Sequence, residues 1–389
     1  MLKILFVHNY YQQAGGEDNV VAAEIMLLRQ RGHDVQLWSV DNKDLPAGLS
    51  GKLKTALSTN YSSLNRSVAQ NILHNFQPDI VHVHNIFPQI SPSIYDACLD
   101  EGIPVVQTLH NYRPICPGSM LMRDGKVCEL CISGSPYQAA WYGCYRGSKL
   151  GSLVVAHMVS QHRHLGTWLH KVDRFIALTD FAKNKFIEAG FPADKIAVKA
   201  NFLHDPLQLE STGPDATNPG FALFVGRISE EKGIKTLIRA WRLVNDQSLL
   251  KMAGVGPLQN LLIDIRNIAP LGRLNADDIS RLMRQAKFLV LPSEWYEGFP
   301  LVLVEAFAHG LPVLASRLGS MADIIKDGET GLLFTPGDAD DLASKAKWLL
   351  ENPLQTQKLG INARRTFLEK YTAERNYSDL ITIYENAAR

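Results

Sequence analysis

One pattern restricts this chain more than any other: a short, largely apolar run, then a polar tail, then a helical stretch. It opens with Leu2-Lys-Ile-Leu-Phe-Val7 and recurs at Asp34–Val40, Ile80–His84, Val105–Leu109 and Arg174–Leu178. Helical stretches such as Asp18–Arg31 and Phe181–Ala189 lie between these runs. Strands apolar throughout are buried on both faces, as in a parallel sheet covered by helices. The pattern lapses at residues 204–219, rich in Pro, Gly, Ser and Thr, then restarts at Ala222-Leu-Phe-Val225, Leu249–Ala253, Phe288–Leu291 and Val313–Ser316. A chain of 389 residues also exceeds one ordinary core. The reading is therefore an α/β protein of two doubly wound parallel-sheet domains. The first is placed at 1–203 with a cysteine-rich insert at 112–148, the linker at 204–219 and the second domain at 220–370. A C-terminal helix at 371–389, the end of an amphipathic tail Ala363–Ala388, is expected to pack back on the first domain.

Composition removes several function classes. A net charge of +1 argues against nucleic acid as a partner held by bulk electrostatics. No apolar run reaches the ~20 residues that span a bilayer. The first strand is closed by His8-Asn9-Tyr10 where a signal peptide needs more apolar length, so residence in the cytosol is the default expectation. There, cysteines serve as thiols or metal ligands rather than disulfides. Cys116, Cys128, Cys131 and Cys144 fall in the insert, two of them as Cys128-Glu-Leu-Cys131. Four thiolates with one such pair can close a tetrahedral zinc site. Outer spacings longer than those of zinc fingers leave four reduced loop thiols as the alternative. Residues 141–172 hold no acid, but do hold Arg146, Lys149, Arg163 and Lys171 beside the apolar stretch Leu150–Leu169. A helix on an anionic membrane surface and an inter-domain helix both fit that stretch.

In doubly wound sheets ligands sit beyond the carboxyl ends of the strands. The tails of the first half carry Asn9, Gly15, Gly16, His84, Asn85, His110 and Asn111. Gly15-Gly16 permits close backbone approach to a phosphate or sugar, and a plain flexible turn is the other reading. His110 closes a strand at the expected ligand edge, whereas His82 within its strand reads as a satisfied core histidine. In the second half, Gly226-Arg227 and Lys232-Gly233 follow a strand and precede a helix. That is an anion site: glycine admits the ligand, Arg forks onto phosphate oxygens and Lys adds a point charge. Further on, Pro292-Ser-Glu-Trp-Tyr-Glu297-Gly-Phe-Pro300 leads into a helix bearing Glu305. Two carboxylates around a helix N-terminus suit a ligand that is both hydroxylated and anionic.

Taken in order, Gly226-Arg-Ile-Ser-Glu-Glu-Lys232-Gly, the Glu297 and Glu305 pair, Gly319 and Asp327-Gly-x-x-Gly331 resemble glycosyltransferase family 4. The resemblance spans essentially the whole chain. It implies the GT-B fold, two Rossmann-like domains facing a cleft, and a retaining hexosyltransferase without a catalytic metal. The implied donor is a UDP- or GDP-sugar. Arg227 and Lys232 would clamp its diphosphate, Glu305 its ribose and Glu297 the transferred sugar. The N–H groups of Gly298, Phe299 and Leu301 would approach sugar and phosphate. Gly16 would close over the phosphates, His110 would face the sugar, and the Gly272–Leu274 turn would meet the base. The four-cysteine insert resembles a polysaccharide-assembly branch, implying a glycan or lipid-linked acceptor at the cytoplasmic membrane face. Glu17 is the lone acid beside the first-half glycines, so a front-face route without a carboxylate nucleophile is expected. A nucleotide-sugar epimerase and a non-catalytic nucleotide-sugar-binding subunit are the competing readings. A phosphorylase lacks its pyridoxal lysine context, and a nicotinamide oxidoreductase lacks Gly-x-Gly-x-x-Gly.

Overall fold

The computed structural model describes residues 1–12, 15–46, 48–207, 220–244 and 248–388. Much of the expected linker, residues 208–219, lies outside that set. The chain divides into two compact units, one of residues 1–121, 128–200 and 376–389, the other of residues 122–127 and 201–375.

In the first unit the strands are β1 (Lys3–Tyr10), β2 (Asp34–Asp41), β3 (Ile80–Asn85) and β4 (Val105–Leu109). A short antiparallel hairpin, β5 (Met122–Arg123) and β6 (Lys126–Val127), intervenes in the chain but groups with the second unit; the first resumes with β7 (Arg174–Ala177) and β8 (Ile196–Val198). The sheet order is β2-β1-β3-β4-β7-β8, and its pairings are parallel. Order reverses at β1, so the crossovers on either side run in opposite directions and leave a crevice beyond β1 and β3. Strand β1 runs three residues past its expected end. Asn9 thereby becomes a buried staple, donating to Asn42 Oδ1 at 2.9 Å and accepting from the Gln89 N–H at 3.0 Å.

The second unit repeats the plan with β9 (Phe221–Val225), β10 (Leu250–Ala253), β11 (Ile268–Gly272), β12 (Ala286–Leu291), β13 (Val313–Ser316) and β14 (Gly331–Phe334). Their order is β11-β10-β9-β12-β13-β14, again parallel. Its reversal lies at β9, which places the tails of β9 and β12 at the ligand edge. Strand β11 lies outside the sequence expectation because Pro270 interrupts its run; proline is tolerated there since β11 is an edge strand. Trp241, Phe224, Phe288 and Phe334 fill the core beneath this sheet.

The long tail is two helices, Pro353–Lys370 and Ala373–Ala387, and not one amphipathic run from 363 to 388. The break falls where Leu203 donates its N–H to the Tyr371 carbonyl at 3.0 Å and bridges to Thr372. From the last helix, Leu380, Ile383, Tyr384 and Ala387 join Ile4, Phe6, Val21 and Ile80 in the core of the first unit. Within that core His82 is fully buried, bonded from Nδ1 to the Tyr384 hydroxyl at 2.7 Å and from Nε2 to the Thr108 hydroxyl at 2.8 Å.

Leu380 is fully buried in that core, so Leu380→Ala is expected to destabilise the first unit by about 2–5 kcal/mol. A urea titration followed by circular dichroism measures it; an unmoved midpoint would show that the last helix adds nothing to this core.

Candidate functional site

The second unit's site starts from a backbone contact. The turn Glu230–Lys232 ends at Gly233, whose φ is +67°. A Cβ there would stand 1.8 Å from the Pro292 carbonyl oxygen, so no other residue lets the turn seat on the tail of β12. The Glu294 N–H donates to the Glu231 carbonyl at 2.9 Å, and the Thr236 hydroxyl to Glu294 Oε1 at 2.6 Å, fastening the two tails together. The result is a contact between residues 65 positions apart: Lys232 Nζ lies 2.6 Å from Glu297 Oε1. The Ser293 hydroxyl donates to the same oxygen at 2.6 Å. Among the described residues, these bonds engage Oε1 of Glu297 and leave its Oε2 without a partner.

Arg227 stands two residues beyond β9. It is exposed, and its guanidinium has no ion-pair partner among the described residues. The floor beneath it is stitched from strand tails: the Gly226 N–H donates to the Ala253 carbonyl at 3.0 Å, and the Gly254 N–H to the Gly272 carbonyl at 2.7 Å. Those bonds put Gly272, and the half-buried Leu274 after it, at the same edge. On the other side of the reversal, Gly298 accepts a 3.0 Å bond from the Ser320 hydroxyl and the Phe299 ring packs edge-on to Tyr371. Helix Leu301–Ala308 begins at Pro300, which has no N–H, so the amides of Leu301 and Val302 open the positive end of the helix. Glu305 sits one turn in. Burial alone holds its carboxyl above the ordinary value, and no described residue hydrogen-bonds its carboxylate. An uncapped carboxylate, an uncapped guanidinium and free amides share one sheet edge. That set can take a diphosphate and vicinal hydroxyls.

In the first unit, Gly15 and Gly16 open helix Gly16–Gln30. A Cβ at Gly15 would meet nothing within 4 Å, so packing within the protein does not demand the glycine. Asp18 accepts from the Gly15 N–H at 2.9 Å and bonds His8 Nε2 at 2.8 Å. Glu17 is held protonated: burial foremost pushes its carboxyl up to about 8, against the hydrogen bond it receives from Tyr11. His110 follows β4 with Nε2 bonded to His84 Nδ1 at 2.8 Å. Burial, then the charges of His8 and Lys199, pushes it down to about 3, so it works as a neutral imidazole. His110, His84, Asn85, Asn111 and Arg113 line one pocket of this unit.

The cysteines are drawn together without closing on a point. Cys116 and Cys131 are buried, Cys128 and Cys144 half-buried, and all are free thiols. Burial, then neighbouring Cys116, Cys144 and Cys128, pushes the Cys131 thiol up to about 12. Among the described residues the group with three potential ligand atoms within 4.8 Å of one another is Glu24, His82 and His84, not the cysteines. That group does not suit a metal: Lys199 Nζ already lies 2.6 Å from Glu24, and both His82 nitrogens are bonded. Sequence reasoning missed Ser293, which holds Glu297, and the buried Glu24–Lys199 pair. The latter joins residues 175 positions apart, beyond any local signal.

Comparison with known proteins matches residues 14–204 to Glycosyltransferase Family 4 and residues 211–366 to Glycosyl transferases group 1. An uncharacterized glycosyltransferase of Methanocaldococcus jannaschii, MJ1178, is 33% identical over 402 residues, which span 99% of this chain and 98% of that one. The D-rhamnosyltransferase WbpZ of Pseudomonas aeruginosa is 28% identical over 223 residues, 54% of this chain and 58% of its own. Among solved structures, Anabaena Alr3699/HepE in complex with UDP and glucose aligns with a TM-score of 0.66 at 20% identity, over 98% of this chain and 99% of that one. The two parallel-sheet, Rossmann-like units are thus those of the GT-B fold. Among the described residues no helix is long and apolar enough to cross a membrane.

Because Glu17 titrates near 8 when folded and near 4.5 otherwise, the folded state holds the extra proton between those values and stability falls as pH rises through them. Glu17→Gln, which mimics the protonated acid, is expected to lack that slope. Melting temperatures from about pH 5 to about pH 8 should therefore converge on, or fall below, those of the variant; parallel profiles would refute the shift.

Proposed function

The chain belongs to the glycosyltransferases, and from that premise we propose that it is a retaining, metal-independent hexosyltransferase using a UDP- or GDP-sugar. One observation carries the reading: Arg227 and Glu305, a cation and an acid without partners among the described residues, occupy the same edge of the second unit's sheet. Arg227 and Lys232 neutralise the diphosphate as it leaves, aided by the amides that open helix Leu301–Ala308. Glu305 takes the ribose hydroxyls. Glu297, braced by Lys232 and Ser293, takes hydroxyls of the sugar, and Gly272–Leu274 meets the base. His110 faces the sugar, and Gly15 and Gly16 admit the phosphates. A relative structure holding UDP and glucose supports a nucleoside diphosphate donor.

A front-face displacement fits the acids present. The acceptor oxygen bonds the anomeric carbon on the face from which the phosphate departs, and its proton passes to the leaving phosphate oxygen. Glu17, protonated up to about pH 8, is a poor carboxylate nucleophile, and Asp18 is engaged by the Gly15 N–H and His8, both of which support that route.

The acceptor is proposed to be a glycan or lipid-linked glycan at the cytoplasmic face of a membrane, in cell-surface polysaccharide synthesis. Trp141 and Leu150, 79% and 78% exposed, beside the basic Arg146 and Lys149, support peripheral contact there. The four cysteines are proposed to hold structural zinc, the proximity of Cys116, Cys128 and Cys144 to Cys131 being the supporting observation.

In a thermal-shift screen of UDP-, GDP-, ADP- and dTDP-sugars, UDP- or GDP-sugars are expected to raise the melting temperature. Glu305→Ala should erase that shift, and Lys232→Ala should lower kcat/KM on the order of 10²–10³-fold. Sugar inversion at one carbon without acceptor would favour an epimerase; binding without turnover would favour a non-catalytic subunit; no shift at all would sink the reading. Elemental analysis of protein purified without chelator should find about one zinc per chain, and a clearly substoichiometric value would leave four free thiols.

A further inference from the structure

Glu24 and Lys199 are 1% and 2% exposed, and their 2.6 Å contact is buried inside the first unit. Burying such a pair gains little stability over apolar side chains of the same size, so its presence calls for another role. Lys199 occupies Oε1 of Glu24. The second oxygen, Oε2, has no hydrogen-bond partner, and neither does Nε2 of His84, which faces it at 3.6 Å. Were Nε2 unprotonated, two lone pairs would oppose each other in a dry interior. With a proton on Nε2 the N–H dipole points at the carboxylate, and His84 Nδ1 becomes an acceptor. His110 Nε2, 2.8 Å from that Nδ1, must then be the donor. The His84 ring stacks on Phe6 at 5.1 Å and on His110 at 5.1 Å, which resists a flip exchanging its edges. His82 does not compete, both its nitrogens being bonded, and His8 is turned to Asp18.

We propose that Glu24, anchored by Lys199, fixes the proton of His84 and through it the tautomer of His110, leaving His110 Nδ1 as an unprotonated acceptor for a hydroxyl of the donor sugar. The inference rests on the reading of His110 as the residue that faces the sugar. Glu24, His84 and Lys199 are positioning residues in it, since they act through His110. Burial keeps both imidazoles neutral, lowering His84 and His110 alike, so each carries a single proton to place.

Glu24→Gln should reverse the chain. Lys199 pins the amide oxygen, the amide NH₂ takes the place of Oε2, and its hydrogen points at His84 Nε2. His84 must then carry its proton on Nδ1, and His110 must move its proton to Nδ1 as well. Long-range ¹H–¹⁵N spectra of the full chain, labelled at histidine and recorded without ligand, read both tautomers directly. The expected wild-type result is Nε2–H on both rings, and the expected variant result is Nδ1–H on both. Wild-type His110 protonated at Nδ1, or tautomers unmoved by Glu24→Gln, would overturn the proposal. If that variant does not fold, Glu24→Leu with Lys199→Met replaces the pair by apolar groups. The His84 Nε2–H resonance, deshielded by the carboxylate in the wild type, should then move upfield, and an unmoved resonance overturns the proposal equally. In turnover with the nucleotide sugar that shifts the melting temperature, Glu24→Gln should lower kcat by on the order of tenfold with KM for the donor little changed. The spectra need no donor, so a failed glycosyl-transfer reading leaves the tautomer result standing, and a failed tautomer result leaves the transfer reading intact.

Discussion

The close approach of Gly233 to the Pro292 carbonyl is the contact on which the second unit's site depends. It places a turn from one side of the strand reversal directly on the tail of the strand across it. Lys232 then reaches Glu297, and Ser293 completes the brace around that carboxylate. Residues that share no local sequence become one rigid edge. Arg227 and Glu305, which have no partner among the described residues, stand on an edge whose strand tails are tied together by backbone hydrogen bonds. This is preorganisation: charges are aimed before the ligand arrives, and little is reorganised when charge develops on a leaving diphosphate.

The first unit solves a different problem. Its strands carry His8, His82, His84 and Asn9 into a dry interior, where an unbonded polar atom is costly. His82 bonds through both nitrogens to Thr108 and to Tyr384 from the last helix, so a residue 302 positions away satisfies its ring. Glu17 is kept protonated, and His84 and His110 are kept neutral, each by burial before any charge effect. The edge of this unit offers hydrogen bonds and few full charges.

Legibility in the sequence followed the range of the interactions. Apolar runs announced the central parallel strands because burial on both faces leaves no room for alternation, and β4 was read to the residue, whereas the edge strand β2 is exposed at alternate positions. Strand β11 was hidden by Pro270, whose cost vanishes at a sheet edge, a position no local pattern reveals. The tail read as one helix because its apolar spacing runs through Tyr371 and Thr372, and the pairing that breaks it comes from Leu203. The order of motifs from Gly226 to Gly331 marked the family, and the residues chosen from it in the second unit came to one edge. The four-cysteine insert announced a cluster, and the fold brings the thiols near one another without the 4.8 Å grouping found at Glu24, His82 and His84.

By itself the sequence determined the two-sheet α/β plan and set Arg227, Lys232, Glu297 and Glu305 at or just beyond strand tails. Those follow from hydrophobic periodicity and from side-chain chemistry within a few residues of a strand end. The tertiary structure alone decided which of them are already engaged. It paired Lys232 with Glu297, left Arg227 and Glu305 uncapped among the described residues, set Glu17 as an acid and His110 as a neutral imidazole, and buried Glu24 against Lys199. The reason is physical: protonation and pairing depend on desolvation and on neighbours across the fold, and neither quantity exists until the chain is packed.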